Sequence, residues 1–148
     1  LKTPASPHRA AAIDGLTIDP ANLALPPTAR PLVVEGAGGL LVPLTRELLT
    51  IEVFANWHVP LVLCARTTLG TINHSLLSIE AIRARGIPLT GIAFVGEENA
   101  DSERTITALA RTRRLGRLPQ LAELTAAALK AAFAAHFNLD DFLQDRAR

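Results

Sequence analysis

Apolar residues along this chain fall into short continuous runs separated by longer stretches of near-helical period. That alternation is expected of βαβ units built around a parallel sheet. Residues 31–35 (PLVVE), closed by Gly36, read as a strand buried on both faces, and residues 60–65 (PLVLCA) as a second. Residues 87–96 (IPLTGIAFVG), bounded by Gly86 and Gly96, form a third, and residues 113–118 (RRLGRL) a shorter fourth. Helices are predicted over residues 48–57, 70–85, 101–112 and 124–137. The longest sets Ile72, Leu76, Ile79, Ile82 and the flanking Leu77 on one face. Arg83 and Arg85 near its end suit the helix dipole, and Gly86 stops it. Pro4, Pro7, Pro20, Pro26 and Pro27 break the first thirty residues into pieces. Only residues 6–14 read as helical there, with Ser6 as cap and Pro7 in the first turn. The expected organisation is one α/β domain: a Pro-rich connector over residues 1–30, sheet and helices over 31–139, and a tail over 140–148.

Composition narrows the function classes. With 49% hydrophobic residues among 148, the chain can bury a core and is not intrinsically disordered. Fifteen Lys and Arg against fourteen Asp and Glu leave a net charge of +1, so no global field draws nucleic acid or an anionic membrane. No apolar run approaches the roughly 20 residues of a membrane helix. One cysteine, Cys64, excludes an intrachain disulfide, and a reducing, cytoplasmic setting fits. Cys64 lies in a strand predicted to be buried and reads as a packing thiol. The four histidines show no HExxH or other paired spacing, so a structural transition metal is not expected. The chain contains no Met and opens Leu1-Lys2-Thr3, which reads as the middle of a longer protein.

Candidate chemistry concentrates where predicted strands end, because ligands of open parallel sheets gather at strand carboxyl ends. Glu35 closes the first strand and is followed by Gly36, Ala37, Gly38 and Gly39. A carboxylate there suits Mg²⁺, and glycines let backbone N–H groups approach an anion. The same residues also suit a plain turn with glycines chosen for positive φ. The second segment, residues 65–74 (ARTTLGTINH), runs from a strand end into a helix start. It suits either an anion or simple capping by Thr68 or Thr71. Ser6, Pro7 and His8 place a hydroxyl and an imidazole at another helix start. His58 and His136 sit at helix ends and suit dipole compensation. Glu97, Glu98, Asp101, Glu103 and Arg104 read as a solvated loop and helix start without chemistry.

In order, residues 6–11 (SPHRAA), 33–44 (VVEGAGGLLVPL), 65–87 (ARTTLGTINHSLLSIEAIRARGI) and 115–119 (LGRLP) resemble dethiobiotin synthetase over nearly the whole chain. The resemblance implies an ATP- and Mg²⁺-dependent cyclo-ligase. Such an enzyme closes the ureido ring of dethiobiotin from 7,8-diaminopelargonic acid and CO₂, releasing ADP and phosphate. It also implies a P-loop NTPase-like fold, here without its first strand and P-loop. Glu35 would be the Mg²⁺ ligand and Gly36 to Gly39 the phosphate and substrate loop, with Ser6 and Pro7 near the diamine. Gly70, Thr71 and Asn73 would receive the substrate carboxylate across a homodimer interface, and Val95, Gly116 and Pro119 would lie beside the nucleotide base. Two departures stand out. Lys2 and Lys130 are the only lysines and neither follows a glycine-rich loop, so this polypeptide alone is expected to be inactive. Many members carry an adenine-reading Asn where Val95 stands. Other readings are a noncatalytic dimerisation or carboxylate-binding domain, and another P-loop amidoligase or ParA-like ATPase; LGTINH argues against the last.

Overall fold

The computed structural model describes residues 1–143 and divides into two compact units, Leu1–Val59 and a second beginning at Pro60. In the first unit, helix α1 spans Pro7–Asp14. Pro7 suits the first helical position because its missing N–H would have no helical partner there. Gly15 ends the helix at φ +67, and the Leu16 N–H bonds back to the Ala11 carbonyl at 2.9 Å. Ser6 occupies the cap position but, contrary to expectation, makes no capping bond; its Oγ lies 3.2 Å from His8 Nδ1. The residues before α1 are clasped to its end. Thr3 Oγ1 donates to Asp14 Oδ1 at 2.6 Å, and the Lys2 N–H donates to Asp14 Oδ2. These bonds, the Thr3 hydroxyl first, hold the Asp14 carboxyl below its ordinary value of 3.8.

Helix α2 spans Thr50–Trp57 and buries Thr50, Ile51 and Val53. Trp57 Nε1 donates to the Leu23 carbonyl at 2.8 Å, tying α2 to a short 3₁₀ turn at Pro20–Leu23. The strand predicted over residues 31–35 does not form. No ladder pairs with it among the described residues, and Val33 is 92% exposed. Its apolar run has a strand's composition without a neighbour to bond, and an extended segment becomes a strand only through ladder bonds. The Pro-rich stretch and this segment both lie in the first unit.

The second unit is a three-stranded parallel sheet in the order β1-β2-β3, with strands at Leu61–Arg66, Leu89–Val95 and Arg114–Leu118. Parallel strands need crossovers, and helices α3 (Thr71–Ala84) and α4 (Ala100–Ala110) provide them. A fifth helix, α5 (Ala126–His136), packs against β3. The sheet and helices predicted for this region form within two residues of the expected bounds. Ile79 from α3, Ile92 and Phe94 from β2, and Ile106 and Ala110 from α4 make the core. Ile72 and Leu76 pack against it as the helical face predicted, whereas Leu77, one position off that face, is 55% exposed. β2 is buried on both faces, as a central strand should be. β1 is not: it lies at the margin of the sheet, every residue in it is at least partly exposed, and Cys64 is exposed rather than packed. The short turn at Leu139–Phe142 begins the predicted tail; residues 144–148 lie outside the described residues. No helix among the described residues is long and apolar enough to cross a membrane.

Candidate functional site

In the first unit the glycine loop is fixed from behind by α2. The Thr50 and Ile51 amides donate to the Val42 and Leu40 carbonyls, both at 2.9 Å, and Thr50 Oγ1 adds a bond to Val42 at 3.0 Å. The first amides of a helix have no partner within it, and here loop carbonyls take two of them. The start of α2 therefore grips the loop and is not available to an anion. The Leu49 N–H closes the same corner by donating to Glu52 Oε2 at 3.0 Å.

The loop's glycines have separate reasons. A Cβ at Gly36 would fall 2.7 Å from Phe54 Cζ, so a side chain there would force the ring to shift. Gly38 adopts φ +87, a conformation few other residues tolerate. With its back held, the loop leaves Glu35, Ala37, Gly38 and Gly39 exposed. The helix carrying Ser6 and Pro7 meets the far end of this segment, where the His8 N–H donates to the Pro43 carbonyl at 3.4 Å.

Mg²⁺ keeps several waters and takes one or two carboxylates together with substrate phosphates. A single exposed carboxylate at the head of a glycine loop fits that demand. A protein-only metal cage does not occur: no group of three or more His, Cys, Asp or Glu able to hold a metal is present among the described residues.

In the second unit, α3 starts at Gly70, whose φ is +91, and no side chain caps it. The capping expected of Thr68 or Thr71 is absent. Thr71 is instead buried, with its Oγ1 3.5 Å from Ser75 Oγ. Asn73 and His74 are exposed on the first turn. Beside this start lies a cleft of about 250 Å³ whose walls include Arg66, Thr68, Thr71, His74 and Ser75. Ser75 and Ser78, which also lines it, were not singled out in the sequence. Their signal was the i, i+4, i+7 spacing from Thr71, a narrow polar stripe beside the apolar one.

The strand exits are stitched together. The Thr67 N–H donates to the Val95 carbonyl at 3.2 Å, and the Gly96 N–H to the Leu118 carbonyl at 2.9 Å. Asn99 caps α4 by accepting from the Ser102 N–H at 3.1 Å, and its Nδ2 reaches the Thr67 carbonyl at 3.5 Å. Val95 is exposed and Pro119, just beyond β3, is partly buried. Gly116 lies deeper, in the middle of β3. A Cβ there would collide with the His136 carbonyl and the Phe137 ring, so packing alone demands glycine at this position.

One predicted assignment is reversed. Glu103 is not part of a solvated cluster but is 3% exposed. It accepts from Arg114 Nε at 2.7 Å and lies 3.6 Å from Arg117 Nε through its other oxygen. Glu103 shares the inward stripe of α4 with Ile106 and Ala110, at i, i+3 and i+7, and a carboxylate on that stripe was the readable sign. His58 and His136 stand at the ends of α2 and α5; His58 Nδ1 lies 2.9 Å from the Asn56 carbonyl, and the His136 carbonyl lies against Gly116.

A family model described as an AAA domain matches residues 1–128. The ATP-dependent dethiobiotin synthetase BioD of Rhodopseudomonas palustris strain BisB5 is 70% identical over 147 residues, which cover 99% of this chain and 69% of that protein. The protein of the same name from Nitrobacter hamburgensis is 62% identical, over 97% of this chain and 68% of its own length. That of Agrobacterium fabrum is 61% identical over the same shares.

Proposed function

This chain belongs to the dethiobiotin synthetase family, and from that membership we propose that it supplies the metal, diamine and base-proximal parts of an ATP-dependent cyclo-ligase. The reaction closes the ureido ring of dethiobiotin from 7,8-diaminopelargonic acid and CO₂. A carbamate forms on one amine, ATP phosphorylates it, and the second amine closes the ring with release of phosphate. The observation that carries the reading is the exposed Glu35 at the head of a glycine loop whose far side is locked onto α2.

Each residue then has a task. Glu35 would hold Mg²⁺, which when bound supplies positive charge to the phosphate oxygens. Gly36, Ala37, Gly38 and Gly39 give phosphate and substrate a close backbone surface. Ser6 and Pro7 border the diamine. Gly70, Thr71 and Asn73 at the uncapped start of α3 receive the far carboxylate of substrate bound in the partner subunit of a homodimer, which positions the amines for ring closure. Val95, Gly116 and Pro119 border the base, with Gly116 acting through the packing of β3 rather than by contact. A cytoplasmic setting accords with a cysteine left exposed at Cys64.

Two experiments test the reading. In the complete protein, Glu35→Gln abolishes dethiobiotin formation while leaving the thermal unfolding midpoint unchanged; retained turnover removes the metal-ligand role. The 148-residue polypeptide alone, given ATP, Mg²⁺ and the diamine, forms no dethiobiotin by mass spectrometry, because neither of its lysines completes a phosphate cradle. Product from that mixture overturns the need for a further loop.

A further inference from the structure

Arg117 makes one hydrogen bond and two ionic contacts. Its Nε faces the buried Glu103 carboxylate at 3.6 Å, its NH1 donates to the Gly96 carbonyl at 3.0 Å, and its NH2 lies 3.5 Å from Glu98 Oε2. The Arg117 side chain is only 15% exposed and the Glu98 side chain 73% exposed, so the buried partner is Glu103, whose Oε1 accepts no hydrogen bond and faces the Arg117 charge. Glu103 is itself fixed by Arg114 and by its place on the inward face of α4.

Gly96 needs such a hold. At φ +128 it occupies a region open to glycine, and a Cβ would fall 2.5 Å from Thr67 Oγ1. Glycine pays for that freedom in stiffness: without outside bonds its peptide has many accessible conformations. Both of its polar groups are taken by the last two residues of β3, the N–H by the Leu118 carbonyl and the carbonyl by Arg117. Beside it, Val95 presents no hydrogen-bonding side-chain atom. Any discrimination between bases at this point therefore depends on where the backbone is held.

We propose that Glu103 is a positioning residue for nucleotide-base recognition: it orients Arg117, which clamps the Gly96 carbonyl and so sets the gap between the exits of β2 and β3. This rests on the assignment of the base to Val95, Gly116 and Pro119. A planar guanidinium serves two directions at once, which a lysine's single ammonium cannot. A buried carboxylate between two arginines is weak support for stability, but it is well suited to fixing one geometry.

The test uses the complete protein, its Glu103→Gln and Arg117→Lys variants, and Mg-ATP and Mg-GTP as probes. Hydrogen exchange at the Gly96 amide, dissociation constants for both nucleotides and the thermal midpoint are measured together. Both variants speed exchange at Gly96 and leave α3 protected. They lower the ratio of ATP to GTP affinity by roughly 2- to 30-fold, the range of couplings carried through an intermediate residue. A purely structural role lowers the midpoint and leaves that ratio unchanged, which overturns the proposal. Unchanged exchange at Gly96 in folded Arg117→Lys overturns the clamp. If Val95→Asn leaves the ratio of ATP to GTP affinity unchanged, the base assignment beneath the proposal falls, and the proposal with it; a ratio that Val95→Asn moves and the Glu103 and Arg117 variants do not removes the proposal alone.

Discussion

The Phe54 ring fills the space that a side chain at Gly36 would need, with Cζ 2.7 Å from the position of a Gly36 Cβ. This contact limits how closely the glycine loop approaches α2, beside the bonds from Thr50 and Ile51. Because the obstructing atom is the tip of a side chain, the clash can be relieved from the other partner. Gly36→Ala is expected to destabilise the chain by about 1–3 kcal/mol through overpacking. In the Phe54→Leu background the same change costs less, and a double-mutant cycle of chemical denaturation reads the difference. Additive effects would show that ring and loop do not press on each other.

Gly116 offers the opposite case, since a Cβ there meets the backbone carbonyl of His136 as well as the Phe137 ring. Backbone cannot swing aside. Gly116→Ala should cost about 3 kcal/mol and loosen α5 first. The Phe133 and Phe137 rings, stacked with centroids 4.9 Å apart, then lose their fixed geometry. Near-ultraviolet circular dichroism and hydrogen exchange along α5 check this; an α5 as protected as in the parent refutes it.

The clasp between Thr3 and Asp14 should respond to acid. The folded carboxyl titrates below its ordinary value of 3.8, so the unfolded chain binds the proton more readily. Its contribution is therefore complete above that value and disappears as pH falls through the lower folded value. An NMR titration of the Asp14 side-chain carbon should show a midpoint below 3.8 in the parent chain, moving up in Thr3→Val. A midpoint at or above the ordinary value removes the clasp.

Val95 stands where the resemblance puts a base-reading amide. Val95→Asn, on an exposed site with room for the change, should raise the preference for ATP over GTP by about tenfold, the worth of one well-made hydrogen bond. Calorimetric binding of both nucleotides decides it, and an unchanged ratio places the base elsewhere.

The second unit was legible because its signals were redundant. Ile72, Leu76, Ile79 and Ile82 repeat at helical spacing, and residues 87–96 carry a buried strand's composition between two glycines. The segment at residues 31–35 has that same composition and is not a strand, because pairing depends on a neighbour that local sequence does not describe. Burial of Cys64 failed for a related reason: strand type was readable, but a place at the sheet's margin was not. Within the candidate site, glycines and strand-end polar residues could be picked out from pattern and resemblance. The partners of Glu103 could not, since Arg114 and Arg117 lie 11 and 14 positions along the chain and meet it only through the crossover of α4.

The marginal position of β1 also bears on how the polypeptide behaves at high concentration. Among the described residues β1 pairs only with β2, a mostly apolar marginal strand is a template for another strand, and Leu61, Val62 and Leu63 are all partly exposed along it. Edge-to-edge pairing of two copies is the association that such a strand favours. Such pairing raises light scattering with concentration and would be blunted by one lysine at Val62.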